Sequence, residues 1–271
     1  MNQYENNIND IWQKIQNNVT VDQNKISNIL NNIFHEMNKG SIAVVSRPES
    51  QQDDWTIHEW VKKAILLSFR FFPSQKQSDF PLWWDKIPLW NMGETHLQNN
   101  KIRIAPGAFV RNGCYLGQSV VVMPSAINMG AWIDSETMID YGACIGSCAF
   151  IGKKCHISAN VTIGGVLEPI QSHPVIIDDN VFIGSGSSVL EGVHIKQGSV
   201  LSAGVTLTSS TKIIDRNTGK ISQGFIPENS VVVPGTYATG HHGLSIQCAI
   251  IIKKKSHDTK KQLDINPTLR Q

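Results

Sequence analysis

The sequence predicts a mainly β protein organised around a parallel β-helix, and three observations support this fold class. An aliphatic residue recurs at every sixth position from Ile104 to Ile213, with one residue dropped between Val122 and Ile127 and a longer interruption after Ile163. The position four residues after each aliphatic residue is small or β-branched, and the position directly after it is often Gly, Asp or Ser. Hexapeptide repeats are the signature of a parallel β-helix, in which three short strands close one triangular coil. We therefore expect the repeated aliphatic side chains to stack inside the coils, each stabilising the fold by about 1.5–3 kcal/mol on burial.

The overall composition excludes several classes of protein. The chain has 271 residues, a formal net charge of +2 and 41% hydrophobic residues, which is ordinary for a globular protein with a sizeable core. The near-neutral net charge gives no reason to expect a nucleic-acid partner. No apolar run approaches the roughly 18 residues that cross a bilayer, and the polar start MNQYENNINDIW lacks the pattern of a signal peptide. The sequence therefore predicts a cytoplasmic protein with no membrane partner.

Five cysteines are present, at positions 114, 144, 148, 155 and 248. An odd number of cysteines without a signal peptide predicts reduced thiols. The spacing of Cys144, Cys148 and Cys155 is compatible with a metal site, but the three residues fall at different positions of their hexads. We therefore predict structural roles for them and no metal site.

Residues 1–100 are predicted to form a helical domain that precedes the coils. Apolar residues at helical spacing predict two helices within residues 5–38, and Gly40 is the expected stop signal of the second helix. A short strand is predicted at residues 41–45.

A third helix is predicted after Thr56 and Glu59, which together form a capping-box pattern. This helix is apolar nearly all round, so we expect it to lie buried between the first two helices and the β-helix, and to end at Pro73. The tryptophan- and proline-rich segment from Phe80 to Met92 is predicted to be an irregular, packed linker.

Residues 101–235 are predicted to form the β-helix, with an inserted loop at residues 164–175, GGVLEPIQSHPV. The loop is too long for a turn and too rich in glycine and proline for a strand. Loops of this kind between rigid elements are often functional, although a neutral insertion at one corner is the alternative. Residues 236–271 are predicted to form a small C-terminal β extension with a strand at residues 246–252, followed by three lysines at 253–255.

Several stretches of the chain carry a family resemblance. They are HEWVKKAILLSFR at 58–70, SETMIDYGACIGSCAFIGK at 135–153, IGGVLEPIQSHPVIIDDNVFIG at 163–184, SVVVPG at 230–235 and CAIIIKK at 248–254. In order and spacing, over nearly the full length, they resemble the tetrahydrodipicolinate N-succinyltransferases, a family of hexapeptide-repeat acyltransferases.

This resemblance implies a fold, an assembly and a reaction. The β-helix would be left-handed, against the usual right-handed crossover, and the protein would be a homotrimer with its active sites between neighbouring prisms. The reaction would move succinyl from succinyl-CoA to the amine of 2-amino-6-oxopimelate, the ring-opened form of tetrahydrodipicolinate, in lysine and diaminopimelate biosynthesis. Succinyl-CoA would be a co-substrate, with no permanently bound cofactor and no metal.

Two residues match the substrate-binding positions of this family. The resemblance implies that Arg103 in KIRIAPGAF pairs with a substrate carboxylate. It also implies that Asp140 in TMIDYGA holds the amine and, as the catalytic residue, deprotonates it. Backbone N–H groups at turns would stabilise the tetrahedral oxyanion. Without the resemblance, Arg103 would read as a surface arginine and Asp140 as a turn-forming residue like Asp134. Asp140 has no evident partner within its own chain, which favours contact with a neighbouring protomer.

One position departs from the family pattern. Ser188, within IGSGSSVLEG, stands where the family commonly has a glutamate that is a candidate acid or base. The division of catalytic labour therefore stays open, and Glu191 cannot be assumed to replace that glutamate. The residues that bind CoA are not identified from the sequence. The loop at 164–175 is expected to cover the CoA arm, whereas the lysines at 253–255 read most simply as a solvated run.

Two alternative functions remain. One is another CoA-dependent hexapeptide-repeat acyltransferase, acting on a sugar amine or on serine, and the other is a non-catalytic solenoid scaffold. A carbonic-anhydrase-like solenoid would need three histidines at one metal. Only His156 and His194 lie in the coils, with His173 in the inserted loop.

Overall fold

The computed structural model describes residues 3–49, 54–78, 83–240 and 242–254. The part of the chain before residue 100 contains four helices among its described residues, together with two short antiparallel strand pairs. In chain order these elements are α1 (Gln3–Gln16), α2 (Gln23–Lys39), β1 (Val45–Ser46), β2 (Thr56–Ile57), α3 (Glu59–Phe71), β3 (Gln75–Ser78), β4 (Trp83–Asp85) and α4 (Glu94–Asn99). The prediction of two helices within residues 5–38 is confirmed.

Local signals set the ends of α2. The Asp22 side chain accepts a hydrogen bond from the backbone N–H of Lys25 at 3.1 Å, which satisfies one of the free donors of the first turn. Gly40 ends the helix in the left-handed conformation, with φ at +81°, a geometry that glycine adopts without a Cβ penalty. The predicted stop at Gly40 is confirmed.

The third helix begins differently from the prediction. Its N-cap is His58, whose side chain makes no capping hydrogen bond, so the predicted capping box is wrong. Thr56 lies instead in β2, paired with Ser46 of β1. A threonine whose backbone is held in a strand, three residues before the first helical residue, cannot occupy the N-cap position. The end of the helix at Phe71, just before Pro73, agrees with the prediction.

Within the described residues, seventeen two-residue strands follow between Arg103 and Leu207. They are β5 (Arg103–Ile104), β6 (Phe109–Val110), β7 (Tyr115–Leu116), β8 (Val121–Val122), β9 (Ala126–Ile127), β10 (Trp132–Ile133), β11 (Met138–Ile139), β12 (Cys144–Ile145), β13 (Phe150–Ile151), β14 (His156–Ile157), β15 (Thr162–Ile163), β16 (Ile176–Ile177), β17 (Phe182–Ile183), β18 (Ser188–Val189), β19 (His194–Ile195), β20 (Val200–Leu201) and β21 (Thr206–Leu207).

These strands form three parallel sheets, because strands that are three apart in the order from β5 to β21 pair with each other. The first face contains β5, β8, β11, β14, β17 and β20; the second face contains β6, β9, β12, β15, β18 and β21; and the third face begins with β7, β10, β13, β16 and β19. Seventeen of the eighteen predicted inward aliphatic side chains are buried, and Ile104 in the first coil is half-buried. The structure is therefore a parallel β-helix with N-terminal helices.

The end of the β-helix departs from the hexad count. The remaining strands are β22 (Ile213–Asp215), β23 (Ile221–Ser222), β24 (Phe225–Ile226), β25 (Ser230–Ala238) and β26 (Ser245–Lys254). Ile213 is buried as predicted, but it does not continue the third face. That face is continued by β24, whose Ile226 pairs with Ile195, while β22 pairs with β23 and β26 at the end of the first-face sheet. The long antiparallel pair β25–β26 extends the first face and includes the predicted strand at 246–252.

The helices cover the third face of the β-helix. Phe150 and Ile176, whose side chains point outward from that face, belong to the same buried cluster as Phe34 of α2 and Ile65 of α3. The predicted burial of α3 between the first helices and the β-helix is confirmed.

The segment from Phe80 to Met92 is predicted to be a packed linker, and residues 83–92 of it are described. This prediction is partly wrong: Trp90 is buried as expected, but Trp84 is 67% exposed. No helix in the described ranges combines the length and apolar character needed to span a membrane.

Candidate active site

The corner between the first and second faces carries Asp140. The preceding residue, Ile139, is fully buried, so the chain turns outward at Asp140 and leaves its side chain 31% exposed. One carboxylate oxygen, Oδ1, accepts a hydrogen bond from the backbone N–H of Tyr141 at 2.7 Å. Tyr141 itself is 61% exposed. Asp140 thus makes the local turn contact typical of aspartate and keeps its second oxygen for another partner.

That second oxygen faces His156 of the next coil. His156 lies in β14, which pairs in register with Met138 of β11. Its Nε2 atom lies 3.8 Å from Oδ2 of Asp140, and its ring packs against Phe182 with centroids 5.2 Å apart. The expectation that Asp140 has no partner in its own chain is therefore wrong. Sequence reasoning considered His156 only as a metal ligand, although its place one coil after Met138 follows from the hexad count.

Asp134 shows what a purely structural aspartate looks like in this fold. Its Oδ1 atom accepts the backbone N–H of Ser135 at 2.7 Å, the same turn contact that Asp140 makes. Its Oδ2 atom, however, lies 3.3 Å from the guanidinium of Arg47, which also binds Asp179. Asp134 is thereby committed to a link between the N-terminal region and the coils, whereas Asp140 lies at a corner that the helices do not cover.

Arg103 lies on the first face, at the start of β5, and is exposed. The parallel register aligns Arg103 with Val121 and aligns Val121 with Met138, the residue two before Asp140. Neighbouring strands of a sheet lie about 4.8 Å apart, so Arg103 and the Asp140 coil are roughly 10 Å apart along the β-helix axis. The structure therefore places both predicted residues on or beside the first face but does not bring them together within one chain.

Ser188 lies on the second face, where its strand pairs with those of Thr162 and Thr206. Its side chain points away from the core and is half-buried. Glu191 is not a substitute for the missing glutamate, because its carboxylate accepts hydrogen bonds from the backbone and hydroxyl of Ser209, at 3.2 and 2.7 Å. It lies at the corner between the second and third faces, away from Asp140.

The inserted loop at residues 164–175 leaves that same corner between the second and third faces. Its first half is fixed by Val166, whose backbone N–H donates to Ser147 at 3.1 Å and whose side chain is buried. Its second half is held by the Lys62 ammonium of α3, which donates to the backbone carbonyl of Ser172 at 2.6 Å. Between these anchors, Glu168, Pro169 and Gln171 are exposed.

The cysteines and histidines are dispersed. Cys144 points outward from the second face, Cys148 is buried in the cluster that contains α3, and Cys155 is buried in the β-helix core. His156 lies on the first face and His194 on the third. No group of three His, Cys, Asp or Glu side chains suited to a metal ion occurs among the residues that the structure describes.

Two family models match the chain. Residues 3–71 match the tetrahydrodipicolinate N-succinyltransferase N-terminal domain, and residues 174–209 match the hexapeptide repeat of succinyl-transferase. Two relatives carry the name 2,3,4,5-tetrahydropyridine-2,6-dicarboxylate N-succinyltransferase. The protein from Bartonella bacilliformis is 47% identical over 86% of each chain, and that from Wolbachia sp. subsp. Brugia malayi is 45% identical over 98% of this chain and 97% of its own.

A solved structure shares the fold. It is described provisionally as a 2,3,4,5-tetrahydropyridine-2-carboxylate N-succinyltransferase from Campylobacter jejuni, and it matches with a TM-score of 0.53 at 16% identity. The match covers 82% of this chain and 62% of that one. At this identity the likeness supports the arrangement of helices and coils.

Proposed function

This chain belongs to the tetrahydrodipicolinate N-succinyltransferase family, and we propose that its active site forms at the Asp140 corner, between neighbouring copies of the chain. The protein is an acyltransferase that moves succinyl from succinyl-CoA to an amine in the lysine and diaminopimelate pathway. The acceptor is the amine of 2-amino-6-oxopimelate. The observation that carries the proposal is the carboxylate of Asp140, which is 31% exposed beside His156 at a corner left open by the helices.

Asp140 acts as the base in this mechanism. The amine nitrogen attacks the thioester carbonyl carbon, a C–N bond forms, and Asp140 takes the proton that the amine loses. Collapse of the tetrahedral intermediate breaks the C–S bond, and the CoA sulfur leaves and takes up the proton that Asp140 accepted, which restores the carboxylate. His156, 3.8 Å from the second oxygen of Asp140, orients the carboxylate toward the amine. Backbone N–H groups at the coil corners stabilise the oxyanion.

Arg103 binds a carboxylate of the acceptor from across an interface between two copies. Two features support this assignment. Within one chain Arg103 lies roughly 10 Å from the Asp140 coil along the axis, and the helices occupy the third face, which leaves the first and second faces for contacts with other copies. A closed ring of three chains, with the left-handed coils of the family, provides such contacts through one repeated interface.

The inserted loop covers the CoA arm in this proposal, and succinyl-CoA is a co-substrate rather than a resident cofactor. The exposed tip of the loop, at residues 168–171, is the part free to contact it. We assign residues 1–100, 101–235 and 236–271 to the helical domain, the β-helix and the C-terminal extension, and we place the reaction in the cytoplasm, in keeping with five free thiols.

The proposed reaction is tested by release of the CoA thiol. The full-length protein is mixed with succinyl-CoA and 2-amino-6-oxopimelate, and free thiol is followed with a chromogenic disulfide. We expect release that depends on both substrates. Serine and an amino sugar serve as alternative acceptors, with acetyl-CoA as the alternative donor. Faster release with either of those acceptors would assign the protein to another acyltransferase reaction, and no release with any pair would favour a scaffold.

A further inference from the structure

Lys62 is an unusual residue in the middle of α3. Its side chain is fully buried, and it lies on a helix whose other buried residues are almost all apolar. Burial lowers the pKa of its ammonium group below the ordinary value, because the charged form is separated from water. A lysine is seldom fully buried unless its charge is compensated. The group that accepts a hydrogen bond from Lys62 therefore indicates the role of this residue.

That partner belongs to the inserted loop. The Lys62 Nζ atom donates a hydrogen bond of 2.6 Å to the backbone carbonyl of Ser172, which is 110 residues away in the sequence. Hydrogen bonds made by charged groups are about twice as strong as neutral ones. Pro174 and Val175, two and three residues after Ser172, are buried, whereas Glu168, Gln171 and His173 are exposed. The contact therefore anchors the C-terminal end of the exposed part of the loop.

We propose that Lys62 is a positioning residue for acyl-CoA binding, which fixes the inserted loop at residues 164–175 in the conformation that receives the CoA arm. The inference rests on the proposed role of this loop. In this proposal the helical domain, which packs against the third face, also fixes the loop through the buried ammonium of Lys62. Without this bond, the loop would sample other conformations, and acyl-CoA binding would have to select the competent one.

The neighbouring lysine provides a matched control. Lys63 is next to Lys62 on α3, but its ammonium donates to Asn9 of α1 at 2.9 Å and makes a contact between helices only. Lys62→Met removes the charge and keeps an unbranched side chain of similar length. Lys62→Gln shortens the side chain and keeps a neutral N–H donor. Lys63→Met makes the same chemical change one residue away.

The first measurement is amide hydrogen exchange of the unliganded full-length protein. We expect Lys62→Met to speed exchange at residues 166–173 by at least about tenfold, the order expected for loss of a charged hydrogen bond. Exchange in α3 should stay unchanged. Lys62→Gln should be intermediate, and Lys63→Met should leave the loop at its wild-type rate. Because no substrate is present, this result does not depend on the reaction catalysed.

The second measurement is steady-state kinetics. Lys62→Met should raise KM for succinyl-CoA by about tenfold, while kcat and KM for the acceptor amine change by less than about twofold, because the Asp140 corner is untouched. Wild-type exchange in the loop, equal effects of Lys62→Met and Lys63→Met, or a loss of kcat alone would overturn the proposal. If Lys62→Met does not fold, the comparison of Lys62→Gln with Lys63→Met decides by the same criteria. If the wild-type protein does not transfer succinyl, the proposed function is refuted, but the hydrogen-exchange result still tests whether Lys62 fixes the loop.

Discussion

At the scale of single residues, Asp134 is the structural counterpart of Asp140, the proposed catalytic aspartate. Both accept the backbone N–H of the following residue at 2.7 Å, so both shape a coil corner. They differ in the partner of the second oxygen, which is Arg47 for Asp134 and His156 for Asp140. The turn contact alone therefore does not distinguish the two residues, whereas the surroundings of the second oxygen do.

Asp140→Asn should remove the base and keep the turn, because the amide oxygen can still accept the Tyr141 N–H. Loss of a general base lowers turnover by about 10²–10⁴-fold. The free energy of unfolding should change by about 0.5 kcal/mol or less, since the residue is at the surface. Both quantities are measured on the same preparation, by thiol release and by urea unfolding.

Asp134→Asn is the control for that variant. It makes the same chemical change and keeps the same turn contact, but it weakens the ion pair with Arg47. Turnover should stay within about twofold of wild type, and stability should fall by about 1 kcal/mol or less, since Arg47 is partly exposed. An Asp140→Asn protein that keeps more than about a tenth of wild-type turnover would leave Asp140 as a binding residue only.

Ser188→Glu tests whether turnover is limited by the serine that stands where the family commonly has a glutamate. We expect the substitution to be neutral or harmful to turnover, because a working enzyme with serine here already manages without the carboxylate. A second carboxylate in the site would also repel the first. The pH profile of kcat is the measurement. Higher turnover or a broader profile in the variant would show that the glutamate shares the base role.

At the scale of elements, the inserted loop has a fixed base and an exposed tip. Val166 and Lys62 hold its two halves, and residues 168–171 lie between these anchors. Segments with few buried contacts open more readily than the packed elements around them. The loop is therefore the element of the β-helix most suited to respond to a ligand.

We expect CoA to protect this tip from amide hydrogen exchange. Addition of saturating CoA should slow exchange at residues 168–171, while the coil strands, already in stacked sheets, change little. The third-face strand β13 serves as the internal reference, because it is buried under the helices. Equal protection of the tip with and without CoA would reject the covering role of the loop.

At the scale of the whole molecule, the helices leave the β-helix with one covered face and two open ones. The third face is packed against α2 and α3, so contacts between copies are available on the first and second faces and at the corner between them. That corner carries Asp140 and the exposed Tyr141. Assembly and catalysis are thus expected at the same place.

A homotrimer is the expected assembly. Light scattering in dilute buffer should give a mass close to three times the 30.0 kDa of one chain. Substitution of the exposed Tyr141 by Ala should weaken the assembly and lower turnover together, since the proposed site needs two copies. A monomer with full activity would contradict both the assembly and the shared site.

The β-helix was predictable because its signal is local and repeated. Each hexad places one inward aliphatic residue, and seventeen of the eighteen are buried, so the sequence alone determined the coils, the position of the inserted loop and the burial of α3. The resemblance to a family is the source of the prediction that Asp140 and Arg103 are site residues, and the Asp140 variants above test the part that concerns Asp140. The predictions of the coils hold because stacking neighbours impose the same requirement on every coil.

Tertiary structure decided the features that join distant residues. The pairing of Thr56 with Ser46 excludes the predicted capping box. Ile213 pairs with β26 instead of continuing the third face. The buried Lys62 ammonium donates to the carbonyl of Ser172 in the inserted loop. His156 came beside Asp140 only through the stacking of coils. A sequence pattern indicates which side of an element is buried. Which residue packs against that side depends on how segments far apart in the sequence come together, and only the folded molecule specifies this.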